Sequence, residues 1–392
     1  MLVRQEEPPA CWQHLLQPSR ALQTVKTLVI NLVVSRNLRH RPLRTVLTVL
    51  AIGIEVALIL LIWGLAEGLV GESNRRKRGV GADILIRAST STATTGLGRA
   101  DLTGELIETI EALPEVAVVV GTTVQMQSDY NTVTGVNLER FGRMSGGLRY
   151  VSGGPFEGPY DVLVDESYAR QKKLAVGDTV RVMNRDFRLT GITETGKLSR
   201  IFVPLGTMQE LMSLDGKLSQ IYVKLHDPEQ AQSMVVKLQK MLPKHPVYSM
   251  EEFITLFTAQ TKAMGSEFIA VIVGIAISAG FIVVLLAMYT AVLDRTREVG
   301  ILKALGGSPS YILQIFLRES IGMTVCGIVV GIAVAFGARA FVHNNFPLVV
   351  TQFLLSHIIW ASVISLIGST LGTIYPAIRA ARQDAIEALA YE

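Results

Sequence analysis

The sequence predicts a membrane protein of four transmembrane α-helices, with an extracytoplasmic α+β domain inserted between spans one and two. Three observations carry this. Four windows, residues 45–70, 268–293, 321–341 and 353–375, are nearly free of charge, and each meets the roughly 20-residue length needed to cross a bilayer. One long polar stretch, residues 71–267, separates the first window from the second and alternates short strand and helix patterns. Basic residues crowd the ends of the windows: Arg36, Arg39, Arg41 and Arg44 before the first, Arg295, Arg297 and Lys303 between the second and third, Arg379 and Arg382 after the fourth. With four spans these three segments share one side, which the positive-inside tendency makes cytoplasmic, so both termini are expected inside. Arg75, Arg76, Lys77 and Arg78 oppose that tendency, but they open a very long loop, and such loops translocate largely regardless of charge.

Composition agrees. The chain is 49% hydrophobic and 18% charged, against about 25% charged in soluble domains. Its net charge of +4 sits largely beside the windows, which points to lipid headgroups and not to nucleic acid. The first window starts too late and is too long for a cleavable signal peptide, so the N-terminus is expected to be retained. Of the two cysteines, Cys11 precedes span one and Cys326 lies inside span three; residues 71–267 have none and must fold without disulfides. The six histidines are scattered without metal-ligand spacing, so no metal and no cofactor are predicted. No G-x-x-x-x-G-K-[ST] phosphate loop occurs, and the glycines near 79–81 and 96–98 lack its lysine. No catalytic residues are predicted, and ATP hydrolysis would have to come from a separate chain. Asp161, Asp165 and Glu166 could be read as paired carboxylates, but Asp165 is placed to cap the helix that follows it.

In order, residues 1–44 form a cytoplasmic N-terminal segment. Leu22, Val25, Val29, Leu32 and Val33 recur there at helical spacing, as in an amphipathic surface helix. Span one, 45–70, carries Glu55, which must face protein, water or a partner. The inserted domain, 71–267, opens with a strand at 82–87, then a helix capped by Asp101 and ended by Pro114, then strands at 116–125 and 130–136. A strand at 220–225, a helix from Pro228 to 242 and a short strand near Val247 repeat that order. The two halves read as a small open sheet split by a mostly β insertion, 142–214, with segments at 161–164, 179–183, 187–192 and 200–203. A helix at 251–262 leads into span two, 268–293. Residues 294–320 form a cytoplasmic loop before span three, 321–341. A short outer loop, 342–352, precedes span four, 353–375, and a cytoplasmic tail, 376–392, follows. Gly327 and Gly331 in span three, and Gly368 and Gly372 in span four, have the small-residue spacing that permits close helix approach, within one chain or at a dimer seam.

The stretch DRTREVGILKALGGSPSYI, residues 294–312, is the most structured part of the cytoplasmic loop. Asp294 with Arg297, and Arg295 with Glu298, have helical pair spacing, and Gly300 is the only breaker before Gly306 and Gly307 supply a left-handed cap. Ser308 then caps a new helix whose first residue is Pro309. Ile301, Leu302 and Leu305 lie to one side of the first helix and need a cover: the membrane interface or a docked partner.

That stretch resembles the signature of the FtsX/MacB-like ABC transporter permeases. The tail YPAIRAARQDAIEALAYE (375–392), the entry RNLRHRPLRTVLTVLAIGI (36–54) and PYDVLVDESYARQKKLAVGDTVRV (159–182) resemble the same family in the same order. Three positions depart from it: Asp384-Ala385 replaces Asp-Pro, Asp294 replaces Glu, and Glu55 replaces a small or apolar residue. The resemblance implies a four-span permease subunit of the bacterial cytoplasmic membrane, paired with a second permease copy or a homologous permease, and served by two cytoplasmic ATPase subunits. It implies that residues 294–306 form the coupling helix that meets the ATPase, with Asp294, Arg295, Arg297, Glu298, Gly300, Ile301, Leu302, Lys303, Leu305 and Gly306 as the docking residues. The implied function is export or mechanotransmission, with motion passed to the outer domain and a periplasmic adaptor as a further partner. A lipoprotein- or lipid-extracting permease and a regulator of a cell-wall hydrolase are the alternatives.

Overall fold

The structure is a computed structural model and describes residues 42–89, 100–127, 131–214 and 216–383. The amphipathic helix before residue 42, Cys11 and the tail from 384 lie outside these residues. In chain order the elements are α1 (Pro42–Arg78), β1 (Ile84–Arg87), α2 (Glu105–Glu111), β2 (Val116–Met126), β3 (Thr132–Val136), α3 (Leu138–Ser145), β4 (Tyr150–Gly153), β5 (Asp161–Asp165), α4 (Glu166–Lys172), β6 (Thr179–Val182), β7 (Arg185–Thr193), β8 (Ile201–Pro204), α5 (Leu205–Leu211), β9 (Gln220–Leu225), a 3₁₀ turn (Pro228–Gln230), α6 (Ala231–Met241), β10 (Val247–Ser249), α7 (Met250–Asp294), α8 (Thr296–Ala304), α9 (Pro309–Asn345) and α10 (Leu355–Arg382). Contacts divide the chain into two units. One holds Val271–Ala338, Phe353–Glu392 and the chain up to Ile62; the other holds Trp63–Ala270 and Arg339–Gln352.

The first unit is helical. Among the described residues four helices, α1, α7, α9 and α10, are long and apolar enough to cross a membrane, in agreement with the four windows. Only 17% of the most apolar stretch of α7 is buried within the chain. Residues such as Phe268, Val271, Ile275 and Leu286 are exposed along it. Side chains of this size stay exposed in quantity only where lipid or another chain replaces water. The glycines set the close approaches. A Cβ at Gly327 would stand 2.7 Å from Ile52, and one at Gly331 would stand 2.6 Å from the Gly53 carbonyl oxygen, so α9 and α1 pack nearly backbone to backbone. A Cβ at Gly372 would lie 2.9 Å from the Phe281 carbonyl oxygen, which sets α10 against α7; Gly368 makes only an ordinary contact with Ile277. Both spacings thus serve packing inside one chain. The helix of span four, α10, continues beyond Tyr375 through Pro376 to Arg382, with Pro376, Ala377, Ala380 and Ala381 buried. Arg379 stacks over Tyr289, its guanidinium 5.5 Å from the ring centre.

The second unit is built on one sheet of order β10-β1-β9-β2-β3-β8-β5-β7-β4, with β6 also paired to β7. The two βα halves expected to form one open sheet do so, as β10-β1-β9-β2, and β2 joins that sheet to the mostly β insertion. Its residues up to Thr122 pair antiparallel with β9, and Thr123 to Met126 pair antiparallel with β3. Only β3 with β8 and β5 with β7 run parallel. β3 belongs with the mostly β insertion through its pairing to β8, so that half of the domain begins before residue 142. Three apolar clusters fill the layers. Ile110, Val119, Ile221, Met234 and Leu238 join α2 and α6 to one face of the sheet. Val120, Phe141, Met144, Tyr222 and Phe253 join α3 and the start of α7 to another. Val164, Tyr168, Phe187, Phe202's neighbour Ile201 and Met208 bind α4 and α5 in a third. Each fully buried large side chain contributes roughly 1.5–3 kcal/mol.

Local chemistry explains where the expected elements hold or shift. Asp165 does cap α4, its Oδ1 accepting from the Tyr168 N–H at 2.7 Å. Asp101 caps no helix: it accepts from the Ser89 backbone N–H at 3.2 Å, and α2 starts at Glu105 behind Gly104. Asp161 accepts the N–H groups of Glu157 and Gly158 at 2.6 Å and the Arg188 Nε–H at 3.2 Å, so it ties a loop to β7 and forms no carboxylate pair with Asp165. The basic run after span one is partly consumed. Arg76 is buried and pairs with Glu72 at 2.7 Å and Asp165 at 2.5 Å, while Arg75 and Arg78 are exposed. Arg76 therefore serves the fold of the inserted unit and is no free anchor for a membrane surface.

Among the described residues no group of three or more His, Cys, Asp or Glu could hold a metal, and the one cysteine, Cys326, is free. The melting midpoint of the full-length protein is accordingly expected to be unchanged by chelator or reductant. A fall of several degrees with chelator would show a structural metal.

Candidate functional site

The charged corner between α7 and α9 is built from local bonds. α7 stops at Asp294 because Arg295 leaves helical geometry, at φ −118° and ψ 18°. The Thr296 hydroxyl donates back to the Val292 and Leu293 carbonyls at 3.2 and 3.0 Å and closes that end. α8 then runs to Ala304. Gly306 takes φ +91°, and the Gly307 N–H bonds the Leu302 carbonyl at 2.9 Å, a glycine-dependent helix stop. The Ser308 Oγ accepts from the Tyr311 N–H at 3.3 Å and starts α9.

This geometry sorts the predicted docking residues. Asp294, Arg297, Glu298, Ile301, Leu305 and Gly306 are exposed; Leu302 and Lys303 are half-buried; Arg295 and Gly300 are buried with Thr296 and Val299. Leu305 is 80% exposed and Ile301 46%. The apolar contact expected at Ile301, Leu302 and Leu305 is therefore presented chiefly by the first and last. Lys303 donates to the Gln383 carbonyl and ties α8 to the end of α10.

Arg295 departs most from expectation. It does not face outward with Arg297 but donates from Nη1 to Oε2 of Glu319 at 2.8 Å. Glu319, on α9, is fully buried, and its Oε1 accepts from Arg44 Nη2 of α1 at 3.1 Å. One carboxylate thus joins the entry of span one, the corner and the foot of span three. A buried charge is tolerated only when paired and hydrogen-bonded, and removal of one partner costs roughly 3–5 kcal/mol. Sequence reasoning missed Glu319, whose partners stand 24 and 275 residues away. The available signal was a lone acid at the edge of an apolar window flanked by unmatched arginines.

Above it lies a buried set of hydroxyls between α9 and α10. Ser320 Oγ is 3.0 Å from Ser369 Oγ, and Thr373 donates to Ser320 at 2.6 Å. Thr324 contacts Ser369 as well. Such bonds hold helices together where apolar burial supplies no net drive. Glu55 on α1 is buried against Gly280 of α7, where a Cβ would stand 1.8 Å from its Oε2, with Ser365 of α10 beside it. It faces protein of its own chain, and Gly280 is what makes room for it.

The MacB-like periplasmic core domain profile matches residues 45–241, and the FtsX-like permease C-terminal profile matches residues 270–385. The chain belongs to the FtsX/MacB-like family of ABC transporter permeases. This permease is similar to the uncharacterized ABC transporter permease YknZ of Bacillus subtilis, with 36% identity over 151 residues, covering 38% of this chain and 37% of YknZ. It is similar to the macrolide export ATP-binding/permease protein MacB of Bdellovibrio bacteriovorus, with 28% identity over 254 residues, covering 56% of this chain and 37% of that one. The matches thus span little more than a third of these relatives. Among solved structures, the periplasmic region of MacB from Actinobacillus actinomycetemcomitans aligns with TM-score 0.34 and 17% identity, over 44% of this chain and 92% of that one. One profile covers span one and most of the inserted domain, the other span two, the corner and the later spans. It is a multi-pass membrane protein.

Proposed function

We propose that this permease is the membrane subunit of an export or mechanotransmission complex, and that a separate cytoplasmic ATPase docks on the outward face of α8. The observation that carries the reading is the two-sided character of α8. One side offers Arg297, Glu298 and Ile301, continued by Leu305 just past its end, to a partner. The other is fastened through Arg295 to Glu319 and thence to Arg44. A push on α8 would therefore be delivered to the feet of three long helices and not dissipated in a flexible loop. The exposed leucine and isoleucine supply apolar contact, and the flanking charges set orientation. The family and the relatives named MacB support the transport class. A second permease copy, or a homologous permease, as neighbour belongs to this reading as well.

The reading requires α8 on the cytoplasmic side and the inserted unit on the other. Single cysteines at Ser152 and Ser308, both exposed, in a background lacking Cys11 and Cys326, test it in intact cells with an impermeant maleimide. Labelling of the cysteine at 152 alone is expected; labelling of the one at 308 alone would reverse the topology.

A further inference from the structure

Within the inserted unit a cleft of about 320 Å³ lies between the end of α1, the start of α7 and strands β2, β3 and β9. Its size falls within the range of small-ligand sites, roughly 300–1,000 Å³. Val124, Met126 and Phe257 give it apolar walls, and Thr134 and Gln220 add a few polar groups. Lys77 reaches in from α1, seven residues beyond the apolar window of span one. Its Nζ is buried and makes no hydrogen bond among the described residues. It lies 5.1 Å from the centre of the Phe253 ring and also over Phe257.

The surrounding charges do not neutralise it. Arg76, which also lines the cleft, is paired with Glu72 and Asp165. Arg87, which faces Phe253 from the sheet at 5.2 Å, is a second cation. Burial, and then the charge of Arg87, push the Lys77 ammonium down to about 7. Aromatic faces offset only part of the cost of burying an ammonium. Among the described residues no carboxylate bonds the Lys77 ammonium.

We propose that this cleft binds an amphiphile with one anionic head group, seated on Lys77, and an alkyl tail laid against Val124, Met126 and Phe257. A bilayer lipid and a free fatty acid share this chemistry. The site owes nothing to the docking face of α8, and the proposal stands or falls independently of it.

The test uses the full chain in phosphatidylcholine nanodiscs, radiolabelled dodecanoate and equilibrium dialysis, with empty nanodiscs as the blank. Saturable binding of one dodecanoate per chain is expected. Lys77→Met should weaken it about 10-fold or more, the loss typical of a charge-assisted hydrogen bond, while Lys77→Arg should keep it. Val124→Trp, which fills the cleft and leaves Lys77 in place, should abolish it; should one variant fail to fold, the other decides. Dodecanol, with the same tail and no charge, should be indifferent to Lys77→Met. Competition by phosphatidylglycerol placed in the nanodisc supports the site and names bilayer lipid as the source; saturable binding without competition supports it and names the free amphiphile. Binding no greater than to empty nanodiscs, or equal binding by wild type, Lys77→Met and Val124→Trp, would overturn the proposal.

Discussion

Glu319→Gln is expected to destabilise the helical unit by roughly 3–5 kcal/mol, the usual cost of removing one member of a buried ion pair. Glu319 is fully buried and accepts from both Arg44 and Arg295. The amide keeps the shape but offers one acceptor instead of a charge, so the carboxylate that both guanidinium groups bond is lost. Thermal unfolding of the detergent-solubilised protein should show the loss directly. A compensated variant separates stability from coupling. Arg44→Met, Arg295→Met and Glu319→Met together replace the triad by apolar groups of similar reach and should recover much of the stability. If the triad transmits force between the corner and α9, this triple variant should fold and retain the ATPase yet respond poorly to load. If it behaves as wild type in coupled turnover, the triad is structural only.

Leu305→Asp is expected to release the ATPase while leaving the permease folded. Leu305 is 80% exposed and shares its face with Ile301, so its replacement disturbs little within the chain. Full burial of such a side chain against a partner is worth roughly 1.5–3 kcal/mol, and loss of that contact weakens docking about 10-fold or more. An aspartate there would also be desolvated without a partner, which adds to the loss. Leu302→Asp should act less cleanly, because Leu302 is half-buried and its carbonyl closes the helix end. Arg297→Glu should have a smaller effect that fades with salt, as exposed pairs contribute about 0–1 kcal/mol. Co-purification at two salt concentrations distinguishes the three.

Much of this architecture was legible because length and period are strong signals. The four spans follow from apolar windows alone, and strand 220–225 appears where alternation placed it. Gly306 takes the positive φ that two consecutive glycines suggested. The misreadings share a cause: each depends on a partner distant in sequence. Asp101 has the composition of a helix cap, but its hydrogen bond goes back to Ser89. The long strand β2 reads as one segment, and nothing local tells that its two halves pair with different neighbours. Arg76 reads as part of a basic run until Asp165, 89 residues on, is seen to take it. Arg295 and Glu298 have helical pair spacing, yet a buried acid on the next helix outcompetes an exposed one on the same helix. Which residues of the proposed docking face point outward depends on the side taken by Arg295.

The claim on which the account turns is that the outward face of α8 meets an ATPase. A photo-crosslinking amino acid placed at Leu305, with a second copy at exposed Ser152 as control, tests it in intact cells of the native host. Mass spectrometry of the adduct from position 305 should identify a polypeptide carrying the G-x-x-x-x-G-K-[ST] phosphate loop, absent from the adducts of position 152. Adducts at 305 with lipid alone, or the same partner at both positions, would contradict it.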